Sequence, residues 1–176
     1  MNIFLIGYRC TGKTTVGKAL AERLGRTFVD TDRMVAQAAG MTIARMVEAH
    51  GWPFFREREH EALAAVCAEK RRVVATGGGI VLDSRNRRAM EHSGTAVWLT
   101  ASEKTIQDRM LGDETTAGSR PSLTGKGLLE EIETVLNERN PLYAKAAGLV
   151  VDTDRATVDE ICDRIIRQLR IQVYGD

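Results

Sequence analysis

Several things this chain lacks narrow its class. Cysteine is scarce: Cys10, Cys67 and Cys162 are odd in number, far apart, and form no CxxC pair. That excludes a disulfide framework and a cysteine zinc site, and points to free thiols in a reducing compartment. Net charge is nearly absent, at +1, so no global field recruits nucleic acid or a membrane surface. Long apolar runs are missing too. The run inside MNIFLIGYRC is too short for a signal-peptide core or a membrane span, and no other run reaches that length. There are no internal repeats and no low-complexity segments. The expectation is a soluble, cytoplasmic protein that engages neither nucleic acid nor membrane.

What is present suits a globular enzyme. The 176 residues are 43% hydrophobic and 28% charged, which fits one domain over 1–176 with a real core. Basic residues are lopsided toward arginine, nineteen Arg against six Lys. Arginine is the better fork for phosphate and carboxylate, but arginine-rich codon usage explains most of these surface positions. Short β-branched runs at Ile3–Ile6, Thr27–Val29, Val73–Ala75, Ala96–Leu99 and Leu149–Val151 read as strands buried on both faces. Helical patterns lie between them. Val16, Leu20 and Leu24 share one face, and Gly25 is a C-cap candidate. Residues 33 to 50 read as two short helices broken near Gly40, and EREHEALAAVCAEK as a strong one. Residues 84–92, 103–111, 128–139 and 156–170 also read as helical. Strand–helix alternation of this kind gives an α/β domain with a mostly parallel sheet. Residues 112 to 127, GDETTAGSRPSLTGKG, break the rhythm. A loop this long and polar is either functional or a tolerated insertion.

The strongest motif is Gly7 to Thr14, GYRCTGKT, which matches GxxxxGK[ST] between a strand and a helix. Its glycines let backbone N–H groups curl around phosphate oxygens at a helix N-terminus. Lys13 reaches the β- and γ-phosphates, and the Thr14 hydroxyl is placed for Mg²⁺. DxxG and NKxD are missing, which disfavours a regulatory GTPase and favours an ATP-dependent small-molecule kinase. In VVATGGGIV a buried strand runs into Gly77, Gly78 and Gly79, which reads as a binding surface before it reads as a turn. Arg56 and Glu59 share a helix face at i, i+3. They are either an exposed ion pair or an arginine held ready for an anion. Asp30 and Asp32 in FVDTD project to one face of a strand, which costs repulsion unless a cation or reacting group sits there. A simple turn is the other reading.

Together FLIGYRCTGKTTVGKALA, FVDTD, FREREHEAL, TGGGIV, SRPSLTGK, ERNPLY and VVDT, in this order over nearly the whole chain, resemble the shikimate kinase family. The resemblance implies a three-layer P-loop kinase fold: a five-stranded parallel sheet ordered 2-3-1-4-5, flanked by helices, with a mobile lid near 112–126. The substrate-binding helical region would span about 31–62. The implied reaction is ATP- and Mg²⁺-dependent phosphorylation of the 3-hydroxyl of shikimate, on the route to chorismate and aromatic amino acids. Lys13, Asp32 and Arg120 match catalytic positions. Arg9, Cys10, Thr11, Gly12, Lys13, Thr14 and Thr15 match the nucleotide loop. Arg109 and Arg155 match the adenine flanks, and Arg120 the lid arginine. Arg56, Arg139 and Asp32, with Gly77 to Gly79, match the shikimate contacts. Thr14 and Asp30 match the Mg²⁺ ligands. A monomer is expected. A gluconate-type kinase of the same fold and a non-catalytic shikimate sensor are the alternatives.

Overall fold

The structure, a computed structural model, describes residues 1–112 and 127–171. Five strands form one all-parallel sheet: β1 (Asn2–Ile6), β2 (Thr27–Asp30), β3 (Arg72–Ala75), β4 (Gly94–Thr100) and β5 (Leu149–Asp152). Their spatial order is β2-β3-β1-β4-β5. β1 is central, with Phe4 opposite Val74 of β3 on one side and Ala96 of β4 on the other.

Alternation along β1 builds three layers. Ile3 and Leu5 face one core with Val16, Leu20 and Leu24 of α1 (Lys13–Arg23) and Ile161 and Ile165 of the last helix, Val158–Gln168. Phe4 and Ile6 face the other core with Leu63, Val66, Met90 and Tyr143. All four β1 side chains are fully buried, each stabilising the fold by roughly 1.5–3 kcal/mol of apolar burial. Covered on both faces, the strand reads as an unbroken apolar run.

Local chemistry sets the helix ends. After α1, Gly25 adopts φ 55°. Its N–H donates to Glu22 O at 3.2 Å and the Arg26 N–H to Ala21 O at 2.9 Å, closing a Schellman motif on the anticipated glycine. α2 (Thr31–Ala39) ends at Gly40, φ 63°. α3 (Ile43–Cys67) contains a break at Gly51, φ 78° and ψ 169°, just before Pro53. α4 (Ser84–Ser93) and α5 (Glu103–Gly112) lie within two residues of the anticipated spans. α6 (Leu128–Ala146) does not: it runs through Pro141, seven residues past its anticipated end. Proline removes one helix hydrogen bond, but Leu142, Tyr143 and Ala146 beyond it pack into the Phe4 core, and that burial wins. α7 (Val158–Gln168) opens on a capping box between Thr157 and Glu160. No helix among the described residues is long and apolar enough to cross a membrane.

Candidate active site

The loop between β1 and α1 is a positively curled turn. Gly7, Cys10 and Gly12 have φ of 139°, 61° and 92°. Gly7 must be glycine for space as well, since a Cβ there would lie 2.4 Å from Leu99 O. Cys10 adopts a left-handed conformation without being glycine, a local cost of the kind found at ligand-cradling loops. Thr11 Oγ1 donates to Tyr8 O at 2.9 Å and pins the loop. Lys13 is buried, and its Nζ donates to Gly7 O at 2.8 Å and Tyr8 O at 2.6 Å. The lysine thus lies folded along the loop that a phosphate would enter.

The Asp30/Asp32 pair is built differently from the strand geometry anticipated. Asp30 ends β2, but Thr31 already starts α2, so Asp32 belongs to a helix first turn. Asp30 is the N-cap of that helix, its Oδ1 accepting from Arg33 N at 3.2 Å. The other oxygen, Oδ2, accepts from Thr14 Oγ1 at 3.1 Å. Asp30 therefore caps a helix and also brings a carboxylate to the P-loop hydroxyl. Hard oxygens of this kind suit Mg²⁺, which takes one or two protein oxygens and completes its shell with phosphates and water.

Between the P-loop, α2, α3 and the glycine turn after β3 lies a cleft partly open to solvent. Asp32, Arg56, Gly77, Gly78, Gly79 and Arg139, all anticipated from sequence, line it together. Arg56 is held from two sides. Nη1 donates to Glu59 Oε2 at 2.7 Å, and the guanidinium lies over the rings of Trp52, at 5.2 Å, and Phe55, at 5.1 Å. The Arg56–Glu59 pair is not the exposed one a sequence allows, because Glu59 is 1% exposed. Burial pushes the Glu59 carboxyl up to about 6, against the pull of Arg56 and with a push from Asp32.

The glycines leave room for these groups. A Cβ on Gly79 would lie 2.3 Å from Nη1 and Nη2 of Arg56, and one on Gly77 2.5 Å from Asp32 Oδ1 and Glu59 Oε1. Tyr143 Oη donates to Gly78 O and fixes the turn. Three buried side-chain polar atoms lack a hydrogen-bond partner among the described residues: Tyr8 Oη, Glu59 Oε1 and Arg139 Nε. All three belong to residues lining this one cleft. Orphaned buried polar atoms cost about 1–3 kcal/mol each, and three of them on the residues of one cleft single it out as a candidate ligand site.

A second groove borders the outer side of the P-loop, lined by Cys10, Thr11, Gly12, Thr15, Arg109, Thr153 and Ala156. Arg109 ties its walls together, donating to Cys10 O at 3.1 Å and Thr153 O at 2.7 Å. Arg155 is exposed and does not line the groove; Thr153 and Ala156 from the same loop do. Arg9 lines the first cleft rather than this groove. Arg120 and nearly all of the anticipated lid lie outside the described residues. Sequence reading gave Glu59 only a supporting part and Tyr8 none. Their i, i+3 and P-loop positions were visible, but their burial is not local: Tyr8 packs with Ile132, Val135 and Leu136 of α6, distant in the chain.

Similarity to known proteins agrees with this layout. The family model for shikimate kinase matches residues 9–170. The shikimate kinase of Syntrophus aciditrophicus is 43% identical over 99% of this chain and 93% of its own length. Shikimate kinase 2 of Dickeya chrysanthemi is 48% identical, covering 92% of each. Among solved structures, shikimate kinase from Acinetobacter baumannii in complex with shikimate superposes with a TM-score of 0.89 at 31% identity, covering 96% of this chain and 92% of that one. With a P-loop, a two-carboxylate helix start and an arginine-lined cleft set on this sheet order, the chain belongs to the shikimate kinase family.

Proposed function

We propose that this protein transfers the γ-phosphoryl group of ATP to the 3-hydroxyl of shikimate, releasing ADP and shikimate 3-phosphate. The observation that carries the reading is the cleft in which Arg56, Arg139, Glu59 and Asp32 converge. Shikimate is a carboxylate bearing three hydroxyls. Arg56 and Arg139 form the carboxylate grip, with the orphaned Arg139 Nε supplying a buried donor. Glu59 Oε1 accepts from a ring hydroxyl, and the backbone of Gly79 lies close against the ring. Asp32 accepts from the hydroxyl to be phosphorylated, orienting it toward the P-loop or taking its proton; a loose transition state requires only orientation.

ATP lies with its phosphates on the backbone N–H groups of Arg9 to Thr15, and its base toward Arg109 and the 152–157 loop. Lys13 exchanges its bonds to Gly7 O and Tyr8 O for phosphate oxygens. Arg120 supplies a further positive charge to the transferring group. The Thr14 and Asp30 oxygens, 3.1 Å apart, are the residues that would hold Mg²⁺, which when bound neutralises charge on the β- and γ-phosphates. In this reading the enzyme works as a cytoplasmic monomer. ADP release measured with shikimate, gluconate or buffer alone is the test. Shikimate-dependent release is expected. Release dependent on gluconate would transfer the assignment to another acceptor, and release with none of the three would leave a binding protein.

A further inference from the structure

Arg9 lines the acceptor cleft with Gly78 and Arg139, at the end where the P-loop enters it. Its side chain is only 10% exposed and lies 3.6 Å from Glu131 Oε1, itself 5% exposed. The Tyr8 ring sits under the guanidinium, 5.7 Å to its centroid. Glu131 stands in the first turn of α6, so a P-loop cation is positioned by a helix more than a hundred residues away. A guanidinium carries five N–H donors, and one carboxylate at that separation leaves capacity for a further anion. An arginine and a glutamate taken out of water at real cost call for a use beyond holding one loop.

The chemistry of the cleft supplies that use. Phosphorylation adds roughly two negative charges to the bound acceptor. The phosphoryl group enters from the P-loop end, and Arg9 N is 3.7 Å from the Cβ position of Gly78. Arg56 and Arg139 are committed to the carboxylate. Resting on the acceptor reading above, we propose that Arg9 is a third guanidinium of this cleft, positioned by Glu131, and that it binds the phosphate ester of the product. It distinguishes ester from alcohol, and strengthens as the phosphoryl group arrives.

Calorimetric binding of shikimate and of shikimate 3-phosphate to wild type, Arg9→Gln and Arg9→Lys is the test, with ADP binding as a check on the loop. Arg9→Gln is expected to lose about tenfold for the ester and less than about twofold for shikimate, with ADP affinity kept. Arg9→Lys, which keeps the charge and loses the fork, is expected to lose about threefold for the ester and guards against a poorly folding first variant. Equal losses for both acids, or loss of ADP affinity with them, would mark a damaged loop and overturn the proposal. Unchanged ester affinity in Arg9→Gln would overturn it alone. A wild type that binds neither acid would overturn it together with the acceptor reading.

Discussion

At the scale of single residues, charge in the cleft decides most outcomes. Arg139→Ala removes a buried guanidinium from the cleft, so under the proposed carboxylate grip the shikimate KM should rise by about 10- to 100-fold with the ATP KM nearly unchanged. Parallel loss of ATP affinity in steady-state kinetics would contradict the assignment. Glu59 gives a pH signature. Burial holds its proton to about 6 against an ordinary 4.5. The folded chain binds that proton more tightly than the unfolded chain. Its ionisation therefore subtracts from stability as pH rises from about 4.5 to about 6, a cost complete above that window. Ionised Glu59 is also what restrains Arg56, so the shikimate KM should rise as pH falls through about 6. Glu59→Gln should flatten that profile, and a wild-type profile without an inflection there would refute the link. Arg56, Arg139 and the glycines were legible at this scale because motif spacing preserves them. The ties of Arg9 to Glu131 and of Tyr143 to Gly78 were not, because pairing across 122 and 65 residues leaves no local pattern.

At the scale of elements, glycines set how closely layers and ligands approach. A Cβ on Gly17 would meet Phe28 Cε2 at 2.6 Å and Leu5 Cδ1 at 3.2 Å, wedging α1 away from β1 and β2. Gly17→Ala should cost roughly 1–3 kcal/mol in denaturant unfolding, although alanine is the better helix former. Gly51 breaks α3 at φ 78°, which aims the Trp52–Glu59 turn into the cleft. Gly51→Ala forces that essentially glycine-only conformation on a Cβ, about 1–3 kcal/mol, and should weaken shikimate binding more than ATP binding in paired titrations. The strands were readable to within two residues: double-sided burial writes β1 and β3 as apolar runs, whereas the edge strands β2 and β5, expected to be covered on both faces, are partly exposed and show only as short β-branched stretches. The end of α6 was not, because Pro141 is a local stop that only the packing of Tyr143 overrides. The step from β2 into α2 was missed for a related reason: a cap residue and a strand residue look alike in FVDTD.

At the scale of the whole molecule, the cores on the two faces of the sheet share strand β1, and the P-loop hangs from that strand. Ligands gripping that loop should therefore stabilise the entire fold. Saturation at a hundred times the dissociation constant adds about 2.7 kcal/mol, so nonhydrolysable ATP and shikimate, each at that level, should raise Tm by roughly 5–10 °C apiece. A scan in which shikimate alone changes nothing would count against a preformed acceptor cleft. Tm is nonetheless blind to one position. Asp30 serves helix α2 through one oxygen and Thr14 through the other, and asparagine caps a helix about as well as aspartate. A thermostability library sorted by melting alone would pass Asp30→Asn and, with Asp30 holding Mg²⁺ as proposed, collect inactive clones there. Sorting by turnover would reject the same clones, so at position 30 the protein's durability and its usefulness are inherited separately.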